Sequence, residues 1–170
     1  MLKTNNKSLI FNYLFLFFLS IASAFIYLIY RDYSIIFNRL FLAIGFDTVS
    51  ERQQIQNLFP LPNWVIYSLP GGIWVYVTTI IAKKRHSRKN LMTKTFTALP
   101  SVYAIGLEFF QLFHFTDGTF DWVDLTFILL AFQFAHNFNQ IEFLSNKHPK
   151  FLNVALISAF LVLFLSDVHH

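Results

Sequence analysis

Glu108 stands in an otherwise apolar stretch, Gly106-Leu107-Glu108-Phe109-Phe110-Gln111, and Asp124 in another, Phe120-Asp121-Trp122-Val123-Asp124-Leu125. An ionisable side chain in such surroundings is expensive, so its presence points to binding, proton transfer or a buried pair. Glu108 and Gln111 are three residues apart and share one helix face, as do Asp121 and Asp124. Two carboxylates brought together from different helices can divide into general acid and general base where their surroundings differ. Glu108 and Asp124 are therefore the candidate catalytic residues, and Glu108, Gln111, His114, Asp121 and Asp124 form a candidate ligand-binding set. Two structural roles compete. Asp121 can cap the helix that opens at Trp122, and Glu108 can bond a neighbouring helix through its carboxyl group.

A second irregularity is Ser68-Leu69-Pro70-Gly71-Gly72-Ile73-Trp74. Proline removes an amide and crowds the preceding turn, and glycine relaxes the backbone. The expectation is either a simple kink or a half-helix whose free amides face an anionic group near Glu108. Other chemistry is poorly supplied. The chain has 0 Cys, which removes disulfides, zinc–cysteine sites and thiol nucleophiles. No histidine pair has zinc spacing and no serine lies in a Gly-x-Ser-x-Gly context, so no metal and no cofactor are expected.

The elements that must position these residues follow from composition. Of 170 residues, 55% are hydrophobic, 19% aromatic and only 13% charged. A soluble domain carries about a quarter charged residues, so a water-facing surface is ruled out, and disorder is ruled out by the same hydrophobicity. A membrane-crossing helix needs about 20 mostly apolar residues. Five stretches qualify, at 9–30, 64–82, 92–115, 122–138 and 151–168, and they predict one all-α, polytopic transmembrane bundle over 1–170. Ser34 to Ile44 is apolar but too short to span, which predicts a short interfacial or re-entrant helix after the first span. Asp47 to Asn57 is polar and helix-permissive. Trp64, Trp74 and Trp122 are expected near the headgroup zones. Ala22-Ser23-Ala24 resembles a signal-peptidase site, but the apolar run continues to Tyr30, so a retained span is expected.

Orientation follows from the basic flanks. Ten of the 13 Lys and Arg fall on one side if the Lys83–Lys94 loop is cytoplasmic, with Arg31, Arg39 and Arg52 opposite. The positive-inside rule then places the N-terminus in the cytoplasm and the C-terminus outside. The net charge of +4 is a topology signal, and nucleic acid is not an expected partner.

Glu108-x-x-Gln111, a short loop, then Gly118-Thr119-Phe120-Asp121-x-x-Asp124-Leu125 resembles the signature of VanZ-like integral membrane proteins, small bacterial proteins of several spans. The resemblance covers some twenty residues. It implies a bacterial inner-membrane protein of the cell envelope, with Glu108, Gln111, Asp121 and Asp124 as signature positions. The family's loop arginine has no counterpart between the two helices here, and Ile128 and Ala131 stand where Asn and Gly usually follow the last aspartate. Arg39, from the short amphipathic segment, is the expected substitute.

Three functions are compatible with these features. The first is binding or processing of a lipid or glycan head group, such as a lipid-linked glycan or small anionic ligand, through an acidic site near the outer leaflet. The second is a small ion- or proton-coupled transporter. The third is a noncatalytic scaffold or assembly subunit whose polar groups only join helices. Membrane lipids are the expected partners, with a homo-oligomer as a further expectation.

Overall fold

The computed structural model describes residues 6–31, 39, 42–45, 49–85, 91–115 and 119–137. Among them the chain is entirely helical: α1 is Asn6–Tyr30, α2 Val49–Leu58, α3 Asn63–Arg85, α4 Leu91–Leu112 and α5 Trp122–Asn137. Four of these occupy the apolar stretches expected to be helical. The fifth stretch, 151–168, lies outside the described residues. So does most of the 34–44 segment, of which Arg39, Leu42 and Ala43 are helical and a turn follows at Gly45. The polar stretch Asp47 to Asn57 supplies α2. Among the described residues one helix, α3 over Asn63–Lys83, is long and apolar enough to cross a bilayer, whereas the apolar run Leu14–Tyr30 of α1 is shorter.

The central helix is α3. α1 packs against it antiparallel: Leu16 and Leu19 meet Val77 and Ile81 near one end, Ser23 Oγ donates to the Pro70 carbonyl at 3.3 Å midway, and Arg31 reaches Tyr67 at the other end. α5 packs against α3 parallel to it. Phe127 faces Gly72, Ile128 packs with Val75, Ala135 with Ile80, and Lys83 Nζ donates to the His136 carbonyl. A cation at the C-terminal end of α5 suits the partial negative charge there. α4 runs antiparallel to α5, with Ala104 beside Ile128 and Glu108 beside Asp121.

Helix α3 runs unbroken through Pro70, so the half-helix expected there is replaced by continuous helix. Proline removes one donor, but the following glycines let the backbone adjust and the ladder resumes within a turn. Gly72 has a second use. A Cβ placed on it would lie 3.3 Å from both the Cβ and the carbonyl oxygen of Phe127, so glycine lets α5 approach the α3 backbone.

The interior mixes apolar residues with small polar ones, and many large apolar side chains lie on the outside. The fully buried side chains are small or polar: Val75, Thr78, Thr79, Pro70, Pro100, Ser23 and Ser68. Phe15, Phe17, Phe18, Phe25, Phe109, Phe110 and Phe134 face outward. Trp74, one of the three tryptophans expected near the headgroup zones, is buried within the bundle. Its place halfway along α3, on a face covered by other helices, accounts for this.

Candidate functional site

At one end of the bundle α1 and α4 finish while α3 and α5 begin. The antiparallel pairing of α4 with α5 brings Glu108 and the Asp121–Asp124 turn together there. Asp121 is the N-cap of α5. Its carbonyl accepts the Leu125 amide at 3.2 Å, and its Oδ1 accepts the Val123 amide at 2.8 Å. The second half of a capping box, in which a residue three positions into the helix bonds the amide of the cap itself, comes from another helix. Glu108 Oε2 accepts the Asp121 amide at 3.4 Å. Asp124 holds the third helical position but is left to face the bundle.

Asp124 is half-buried. The Ser68 hydroxyl of α3 and Asp124 Oδ1 are both buried without a hydrogen-bond partner among the described residues, and Ser68, Asp121 and Arg31 are the groups that act on Asp124 electrostatically. Ser68 is buried, at 2% exposure. Arg31 is the first residue past α1, and its guanidinium lies over two tyrosine rings, 5.2 Å from the centre of Tyr27 and 5.0 Å from that of Tyr67. Such contacts hold a cation at about 0.5–2 kcal/mol each.

α2 secures the end of α1. Arg52, only 3% exposed, donates through Nε to the Ile29 carbonyl at 3.0 Å and through Nη2 to the Arg31 carbonyl. Gln56, one turn on, donates to Ile29 at 2.6 Å. Tyr30 donates its hydroxyl to the Phe59 carbonyl at 2.7 Å. The last carbonyls of a helix have no partner within it, and α2 supplies donors to two of them.

Among the sequence-predicted residues, Glu108 meets Asp121 at its backbone amide, and Asp124 follows three residues later in the first turn of α5. Gln111 is half-buried one turn beyond Glu108. His114 is exposed and ends α4. It holds φ of +57°, its amide donates to the Gln111 carbonyl at 3.0 Å, and the Phe115 amide donates to the Phe110 carbonyl at 2.8 Å. That is a Schellman stop, completed by the edge-on contact of Phe110 with Phe115. Arg39 is exposed, and the arginine whose charge acts on Asp124 is Arg31. Among the described residues no three His, Asp or Glu side chains are placed to hold a metal ion.

The sequence reading missed Arg31, Ser68, Arg52 and Gln56. A signal for Arg31 existed: it is the first charge after Lys7, at the foot of a long uncharged run. The spacing of Arg52 and Gln56, four apart on one helix face, marked a pair that can act together. Neither signal named a partner.

No protein-family model matches this chain, and no curated protein and no solved structure matches it.

Proposed function

We propose that this chain is a VanZ-like polytopic membrane protein of the bacterial inner membrane that binds a lipid or glycan head group at its acidic end, which faces the outer leaflet. The observation that carries this is that Arg31 just past α1, Ser68 of α3, Glu108 of α4 and the Asp121–Asp124 turn of α5 lie at one end of a bundle with an apolar exterior. A guanidinium suits an anionic group such as phosphate, and carboxylates and a serine hydroxyl suit hydroxyl or amine groups.

Several features support membrane embedding. Buried serines and threonines inside outward-facing phenylalanines are the pattern of helices packed in lipid. Trp64, Tyr67, Phe113, Phe115 and Trp122 are exposed at the acidic end, where an aromatic belt meets head groups. Lys83 marks the other end, 19 residues after Trp64. At about 1.5 Å per residue that spans roughly 28 Å, close to the hydrocarbon thickness of a bilayer.

The test is native mass spectrometry of the purified protein beside Glu108→Gln and Asp124→Asn. A defined lipid or lipid-linked sugar that is held by wild type and lost in either variant is the expected result. Identical spectra with no specific ligand would reject it. A noncatalytic scaffold is the second reading, favoured by the use of Glu108 and Asp121 as caps of α5. Transport has less support, because Val75, Ala104 and Ile128 form an apolar layer below the acidic end.

A further inference from the structure

We infer that α2 is a strap that sets the cation of the acidic cluster, and that Arg52 is the positioning residue for Arg31. Arg31 follows the last helical residue of α1, where helices fray and a side chain has many directions open to it. Here its carbonyl is held by Arg52 Nη2, and the carbonyl two residues earlier is held by Arg52 Nε and Gln56. A guanidinium is suited to this because its donors form a rigid planar fork that can hold two acceptors at once. The cation also meets the negative end of the α1 dipole.

With the Arg31 backbone fixed, its side chain lies back over Tyr27, one turn earlier on α1, and across to Tyr67 on α3. That path ends where its charge acts on Asp124. Arg52 therefore works on the acidic cluster through Arg31. It makes α2 part of the site: with α2 seated, the cluster presents a fixed guanidinium whose charge acts on Asp124. The site then takes a head group that carries both an anionic group and hydroxyls or an amine. This last consequence rests on the binding function proposed above, whereas the positioning does not.

The experiment uses the full chain in detergent micelles. The Arg31 Nε proton, next to a guanidinium carbon that lies 5.2 Å and 5.0 Å from the centres of two tyrosine rings, resonates upfield of that of an ordinary arginine, and it is assigned by its disappearance in Arg31→Lys. The upfield shift is expected to be lost in Arg52→Ala. It is expected to be kept in part in Arg52→Lys, whose amine reaches one carbonyl, and kept in Gln56→Ala, which leaves the Arg31 carbonyl held. Circular dichroism and melting follow the stability of each variant separately. An Arg52→Ala protein that melts lower but keeps the shift would overturn the inference, since Arg52 would then be a structural brace alone. Should Arg52→Ala fail to fold, Arg52→Lys and Arg52→Gln decide: a shift unchanged in both overturns it, and a graded loss supports it. A shift that depends on Arg52, in a protein that co-purifies with no head group, supports the positioning while rejecting the binding function.

Discussion

Replacing Gly72 and Gly71 by alanine, one at a time, gives two variants with the same local chemistry and opposite expected outcomes. In a helix interior, alanine is favoured over glycine by about 0.5–1 kcal/mol, because glycine loses more backbone freedom. At Gly71 a new Cβ meets nothing within 4 Å, so Gly71→Ala should gain most of that amount. At Gly72 the new Cβ falls 3.3 Å from the Phe127 carbonyl oxygen and 3.3 Å from its Cβ, with the carbonyl carbon at 3.6 Å. Carbon atoms pack best at about 3.5–4.0 Å, and two of these three neighbours are backbone, which cannot rotate away. α5 must therefore give by a few tenths of an ångström, an overpacking cost of about 1–3 kcal/mol. The net effect of Gly72→Ala is a loss of up to about 2 kcal/mol once the propensity gain is subtracted. At roughly 2–4 °C per kcal/mol for a chain of this size, the two variants should melt several degrees apart, on either side of wild type. Tryptophan fluorescence during heating in detergent reads this directly. Equal stabilisation of both would mean that α5 does not approach α3 at Gly72, and the alignment of Ser68 with Asp124 would fall with it.

His114 holds φ of +57° with an exposed side chain, a conformation that costs an L-residue about 1–2 kcal/mol. His114→Gly should thus raise stability by about 1 kcal/mol, and a lower melting temperature would speak against the Schellman stop. Asp121→Ala should cost about 1 kcal/mol as an N-cap loss, while Asp121→Asn should cost little; an Asn variant as damaged as the Ala one would show that charge rather than capping matters there. Arg31→Ala should lower stability by about 1–2 kcal/mol through its lost ring contacts and weaken any head-group retention. Arg39→Ala should do neither, and the reverse ranking would restore Arg39 as the cation of the site. A single cysteine in place of Gly118 should label with an impermeant reagent from outside, and labelling from the cytoplasmic side alone would invert the proposed topology.

Much of the fold was legible in the sequence because one constraint, long apolar runs without charge, leaves helix as the economical structure. The runs that became α1, α3, α4 and α5 could be bounded to within a few residues on that basis. The cap at Asp121 was legible too, since an aspartate just before an apolar helix has a local job that needs no knowledge of the rest of the chain. So was the meeting of Glu108 with the Asp121–Asp124 turn, because a short loop forces neighbouring helices to run antiparallel.

What only the tertiary structure decided was pairing across long separations. Glu108 completes the cap of a helix other than its own, the charge of Arg31 acts on Asp124, and Arg52 serves the end of α1. Pro70 shows the same limit: its sequence context permitted a break, and the helix is whole, with the Pro70 carbonyl accepting from Ser23 of α1. The physical reason is range. Hydrophobic periodicity and capping act over a few residues and are written locally, whereas a charge finds its partner through the packing of helices that no local pattern encodes.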